Sequence, residues 1–267
     1  MANSRTKAKV QMTVRDGEVI LDGSPVFVGG QSRLLESISD LTRSGQVELL
    51  VTPNVDQVLR LQTDPRWRRV YASASMRIAD GAPLVFLARA LGNANAVRNT
   101  GADLLPLCVE LSVKSGWTIA ITGGAEATLR KAVAMLKSRY PGSDLWWVPF
   151  PRITAEDDPA SIPVVEQLRE IDPDIVFVCL GAPKQELWVD VWRETLPAAL
   201  YVGSGAAVDF AAGSMQRAGL EWLWRLLHEP RRLAKRYLVR GPSFLGVVWR
   251  SIRANGFWSR RNKGGPR

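Results

Sequence analysis

The stretch Trp117-Thr118-Ile119-Ala120-Ile121-Thr122-Gly123-Gly124-Ala125 decides the fold class. A short apolar run stops at a pair of glycines, and the residues that follow read as helix to about Arg139. A strand that turns tightly into a helix is the repeating unit of parallel sheets. The same unit recurs on both sides. Val47-Glu48-Leu49-Leu50-Val51 stops at Thr52-Pro53-Asn54 before a helix over Val55 to Gln62. Asp174 to Leu180 stops at Gly181-Ala182-Pro183, and Leu200-Tyr201-Val202 stops at Gly203-Ser204-Gly205. Leu145 to Val148 adds a strand, while Ser32 to Arg43 and Ile162 to Glu170 add helices. The alternation predicts an α/β fold: a Rossmann-like, mostly parallel sheet with helices on both faces. Ahead of it, Val10 to Val28 alternates apolar and polar around Asp16-Gly17 and Asp22-Gly23, which predicts a small β-meander.

In open parallel sheets ligands bind beyond the carboxyl ends of the strands, so the residues at those ends are the candidates. Thr122-Gly123-Gly124 has the form of a phosphate turn, with bare backbone N–H groups at a helix N-terminus, or simply of a tight turn. Gly203-Ser204-Gly205-Ala206-Ala207-Val208 resembles a dinucleotide fingerprint that lacks its third glycine. Asp80-Gly81 precedes a helical Ala82 to Leu91, so Asp80 either caps that helix or presents a carboxylate to the crevice as a general base. Asp103, closing the loop from Arg98, is a second candidate cap. In Gly181-Ala182-Pro183-Lys184-Gln185-Glu186, Glu186 suits the positive end of a helix dipole, and Lys184 or Gln185 is placed to reach the crevice.

Around residue 213 the pattern changes. Residues 1–213 read as the Rossmann-like core and residues 214–267 as a basic helical appendage, with the last eight or so residues disordered. Arg217 to Arg267 holds 13 Lys and Arg against two acids, a charge of +11, so with +9 overall the body nets −2. Within it, Gly219 to Tyr237 reads as an amphipathic helix kinked or split at Pro230, with Arg225, Arg232 and Arg236 on one face beside Leu220, Leu223, Trp224 and Leu227. Guanidiniums beside an apolar stripe suit a diphosphate near a membrane surface, or form a solvated docking face. From Pro242 onward, Phe244, Leu245, Val247, Val248, Trp249 and Ile252 offer apolar surface and Arg250, Arg253, Arg260 and Arg261 offer cations for anionic lipid.

Several classes of chemistry are narrowed. His228 is the only histidine, so neither a Ser-His-Asp triad nor a histidine-based metal site can be assembled. Cys108 and Cys179 lie in apolar runs and read as buried, reduced thiols. No signal core opens the sequence and no run reaches the roughly 18 apolar residues of a spanning helix. The expected location is therefore cytoplasmic, peripheral on the inner face of the plasma membrane. A nucleic-acid-binding protein would also carry a cationic tail, but normally a basic folded surface as well. A nicotinamide-dependent Rossmann enzyme is weakened by the incomplete fingerprint.

Taken in order, these motifs resemble the WecG/TagA/CpsF glycosyltransferase family. The resemblance is carried by Thr52-Pro53-Asn54, Asp80-Gly81, Arg98 with Gly101-Ala102-Asp103, Thr122-Gly123-Gly124, Gly181 to Glu186, Gly203 to Phe210, Ala212-Gly213, and Gly219-Leu220-Glu221-Trp222 through Arg232. It implies transfer of a hexosyl group, of the N-acetylmannosamine type or related, from a UDP-sugar to a sugar on undecaprenyl diphosphate in cell-surface polysaccharide assembly. The mechanism it implies is inverting and needs no metal or other cofactor. Asp80 matches the base that deprotonates the acceptor hydroxyl; Thr52, Asn54, Arg98 and Gln185 match residues that orient sugar or acceptor. Gly123 and Gly124 match the glycine turn. Arg225 and Arg232 match appendage arginines that hold the UDP diphosphate; Lys235 stands where the family often has arginine, with Arg236 beside it. The connector Ser214 to Ala218 is shorter than is usual in the family. The implied partners are the UDP-sugar, the lipid-linked acceptor and the anionic inner-membrane surface, without nucleic acid; homo-oligomerisation, donor sugar and acceptor sugar stay open.

Overall fold

The computed structural model describes residues 8–205, 207–211 and 241–256. The meander forms as an antiparallel sheet of β1 (Met12–Arg15), β2 (Glu18–Leu21) and β3 (Ser24–Val26). Its turns place Asp16 and Gly17, then Asp22 and Gly23, at positive φ, which these residue types tolerate best. The main sheet contains β4 (Glu48–Val51), β5 (Met76–Arg77), β6 (Thr118–Thr122), β7 (Asp144–Val148), β8 (Ile175–Val178) and β9 (Leu200–Gly203). All pairings are parallel and the order is β5-β4-β9-β8-β6-β7.

Both faces of this sheet are buried, which explains why its strands read as continuous apolar runs. On one face, Leu49, Val51, Val176, Val178 and Tyr201 pack with α2 (Val55–Arg60), α3 (Pro65–Ser73), α4 (Ala82–Ala90), α7 (Ile162–Ile171) and α8 (Lys184–Trp192), and with the meander. On the other, Leu50, Ile119, Ile121, Ile175, Phe177 and Val202 pack with α1 (Gln31–Thr42), α5 (Gly101–Ser115), α6 (Glu126–Arg139) and α9 (Ala207–Ala211). The connections therefore divide. The chain leaves β4 for α2 on the first face and leaves β9 for α9 on the second, although β4 and β9 are neighbours. The crevice between their carboxyl ends is a topological switch point.

A helix on the first face and a strand are among the elements that escaped the sequence reading. α3 begins with Asp64, whose side chain accepts from the N–H groups of Arg66 and Trp67, followed by Pro65 in the first turn. That pairing is a helix-start signal. β5 has only two residues, too few for any periodicity. It is held instead by Arg77, which is buried, donates to the Tyr71 and Ala72 carbonyls at 2.7 and 2.5 Å, and stacks over the Tyr71 ring. The guanidinium thus satisfies the last carbonyls of α3.

The tail differs from the expected free apolar surface. Residues 241–254 form α10 (Gly241–Ala254), which packs on β1 and α2. Val247 is in the core, and Phe244, Val248 and Ile252 lie against it. Arg250 Nε donates to the Val10 carbonyl, Ser251 Oγ accepts from the Met12 N–H, and Asn255 exchanges bonds with Val14 and Met12. Of the apolar residues named above, Leu245 and Trp249 remain well exposed. The remaining residues of 214–267 lie outside the described residues.

Candidate active site

The β4/β9 crevice is built from three strand ends. Thr52 follows β4 directly; its hydroxyl is buried and donates to the Gly203 carbonyl at 3.1 Å. Asn54 is half-buried and caps α2: its Oδ1 accepts from the N–H groups of Asp56 and Gln57, and its own N–H donates to Gln57 Oε1 at 3.0 Å. This reciprocal capping box fixes the turn after β4. Beyond β8, Gln185 is buried in the first turn of α8, where its Oε1 accepts from the Gly181 N–H at 3.0 Å.

Asp80 enters from the neighbouring strand end. Its N–H donates to the Pro53 carbonyl at 3.0 Å, which places it against the Thr52-Pro53-Asn54 turn, and the residue is half-exposed. Of the two readings open for Asp80, the N-cap position of α4 goes instead to Gly81, at φ 102° and without a side-chain cap bond. Arg77 anchors the preceding strand, so the backbone that delivers Asp80 is held from both sides.

The start of α5 closes the crevice from the second face. Its cap is Thr100, whose Oγ1 accepts from the Asp103 N–H and donates to Asp103 Oδ2; Asp103, expected to be the cap, is the third helical residue. A Cβ added to Gly101 would stand 2.9 Å from Ser204 Oγ and 3.2 Å from Thr52 Oγ1, so only glycine brings α5 this close to both strand ends. Arg98 is exposed three residues earlier, on the loop fastened by Val97 N–H to the Val28 carbonyl and Asn99 Nδ2 to the Gly29 carbonyl.

Thr52, Asn54, Asp80 and Gln185 are thus brought together, with Arg98 on the adjoining loop. Gly123 and Gly124 stand apart from that border, at the end of β6. Gly123 is buried against the residue that follows β8: an added Cβ would meet the Cys179 backbone at 2.7 Å. Gly124 is exposed, and α6 beyond it lacks a side-chain cap. Lys184 does not reach the crevice, since its Nζ donates to the Ile153 carbonyl. Arg225, Arg232, Lys235 and Arg236 lie outside the described residues.

A residue read only as a dipole partner proves central. Glu186 is fully buried, and its Oε1 accepts from Gln185 Nε2 at 2.9 Å and Gln57 Nε2 at 3.3 Å. Burial pushes its carboxyl up to about 7, against the opposing pull of these hydrogen bonds and of Arg60. Both cysteines are buried and outside any disulfide, as expected, and burial drives the Cys108 thiol up to about 12. No described helix is long and apolar enough to cross a membrane. Residues 19–256, most of the chain, match the family model described as the Glycosyl transferase WecG/TagA/CpsF family.

Proposed function

The chain belongs to the WecG/TagA/CpsF glycosyltransferase family, and from that premise we propose that it moves a hexosyl group from a UDP-sugar to a sugar carried on undecaprenyl diphosphate. The sugar is of the N-acetylmannosamine type or a close relative. The observation that carries this reading is the placement of Asp80, half-exposed and bonded through its backbone to the turn that ends β4 at the switch point. A carboxylate there is positioned as a general base toward a ligand lying over Thr52, Asn54 and Gln185.

The reaction is a single displacement with inversion. The acceptor hydroxyl gives its proton to the Asp80 carboxylate as its oxygen bonds to the anomeric carbon. The bond from that carbon to the UDP oxygen breaks on the opposite face, and its electron pair leaves with the diphosphate. The growing negative charge needs fixed cations or a divalent metal. In this proposal Arg225, Arg232, Lys235 and Arg236 of the appendage supply it, so no metal is required. Arginine suits the role through its paired planar donors.

Membrane contact fits the same chemistry, because a polyprenyl acceptor stays in the bilayer. Leu245 and Trp249 on α10, with Arg253 stacked over Trp249 at 5.4 Å, give an aromatic and cationic surface of the kind that suits an anionic interface. The proposal is tested with a panel of UDP-sugars and a lipid-diphosphate acceptor, products being read by mass spectrometry. Transfer with EDTA present supports it, full loss restored by Mn²⁺ refutes the metal-free part, and no transfer from any UDP-sugar refutes the whole.

A further inference from the structure

A glutamine amide has one accepting oxygen and one donating nitrogen, so fixing one end fixes the other. Gln57 Oε1 accepts from the Asn54 N–H, and Gln185 Oε1 accepts from the Gly181 N–H, each at 3.0 Å. Both amides can stand that way round only if their nitrogens face an acceptor. They share one: Glu186 Oε1, at 3.3 Å from Gln57 Nε2 and 2.9 Å from Gln185 Nε2. One carboxyl oxygen therefore ends two chains of hydrogen bonds, one from the loop after β4 and one from the loop after β8. The strand between them is in contact too, since a Cβ added to Gly203 would stand 2.8 Å from both Glu186 Oε1 and Gln185 Nε2.

We propose that Glu186 is a positioning residue that ties three adjacent strand ends together and thereby sets Asn54 and Gln185 in the crevice. This rests on the reading of that crevice as the sugar-nucleotide site. Glu186 touches neither reacting group in that reading and acts through the two amides. Its Oε2 has no hydrogen-bond partner among the described residues. That oxygen is the natural seat of a proton in a buried carboxyl, which leaves Oε1 to serve both amides. A glutamine at 186 reproduces this arrangement, with a carbonyl oxygen for Oε1 and an amide nitrogen for the protonated Oε2. A leucine leaves both glutamines without their acceptor, and an aspartate withdraws it by one methylene.

The test compares Glu186→Gln, Glu186→Leu and Glu186→Asp in the full chain. Backbone amide exchange of Asn54 and Gly181 is followed by NMR, together with melting curves and the kcat and KM for the UDP-sugar. The expected result is exchange at both amides about tenfold faster or more in Glu186→Leu, and unchanged within about twofold in Glu186→Gln. The KM should rise and kcat fall in the former, with both rescued in the latter. If Glu186→Leu does not fold, Glu186→Asp gives the same comparison. Wild-type exchange at both amides in Leu and Asp variants, or acceleration at only one, overturns the proposal. A wild-type protein that transfers no sugar refutes the function instead, and the exchange rates still decide the role of Glu186.

Discussion

Thr52 Oγ1 donates to the Gly203 carbonyl oxygen at 3.1 Å, joining two neighbouring strand ends whose chains then part to opposite faces of the sheet. The hydroxyl is buried, so its contribution to a substrate passes through the shape of the crevice. Thr52→Val keeps the shape and removes the donor, leaving the Gly203 carbonyl without it. The expected cost is about 1 kcal/mol, read as a melting temperature lower by roughly 2–4 °C. kcat/KM should fall on the order of tenfold or more, as displaced reacting groups lose alignment. Thr52→Ser retains the donor and should restore both. A Val variant that melts lower yet transfers sugar normally would limit Thr52 to a structural role.

Asp80 permits a cleaner separation of chemistry from folding. Its described bond to the Thr52-Pro53-Asn54 turn is made by the backbone N–H, which Asp80→Asn leaves in place. Loss of a general base costs roughly 10²–10⁴ in kcat. Asparagine has the size and shape of aspartate, so the expected variant stays folded, binds UDP as tightly by calorimetry, and turns over at least about 10² more slowly. Turnover within twofold of wild type would move the base elsewhere.

The order of strands and helices was legible because each turn announces itself: Thr122-Gly123-Gly124, Gly181-Ala182-Pro183 and Gly203-Ser204-Gly205 all end buried apolar runs at the predicted place. The candidates Thr52, Asn54, Asp80 and Gln185 were legible for the same reason, being strand-end residues of a parallel sheet. The role of Glu186 was hidden. Its partner Gln57 is 129 positions away, and only the pairing order β4-β9-β8 brings them together. Nothing in a linear pattern distinguishes a buried carboxyl in a helix's first turn from an exposed one serving the dipole. The docking of α10, though not its helical character, went unread for a related reason. An amphipathic helix shows that it has an apolar face but not what that face meets, and here the partner is β1, more than 200 residues earlier.

The buried Glu186 also gives stability a definite pH dependence. Its carboxyl sits at about 7 in the folded protein against an ordinary 4.5, chiefly through burial. Between those values the folded chain holds a proton that the unfolded chain has released. Stability therefore falls as pH rises through this window, and the loss is complete above about pH 7. Its size is on the order of 3 kcal/mol. Glu186→Gln cannot ionise and lacks this slope. In urea unfolding at pH 5, 6, 7 and 8, the variant should gain on the wild type with each step up to about pH 7 and hold the difference beyond it. Parallel curves for the two proteins would mean that Glu186 ionises normally.

On α10 two faces do different work. Val247 is fully buried, and Ser251 and Asn255 bond the backbone of β1, whereas Leu245 and Trp249 are 66% and 58% exposed. Positions 245, 249 and 253 repeat every fourth residue and share the outer face. Truncation before α10 would therefore strip the meander as well as any lipid contact, so loss of sedimentation with vesicles would not separate the two. Point variants do. Leu245→Ser with Trp249→Ser should melt like the wild type and sediment less with anionic liposomes, most clearly at low salt. Val247→Ala should behave oppositely, losing roughly 2 kcal/mol of stability through its cavity while the folded fraction still binds. A double variant that pellets as fully as the wild type would remove the outer face of α10 from the membrane contact and leave it to the remaining basic tail.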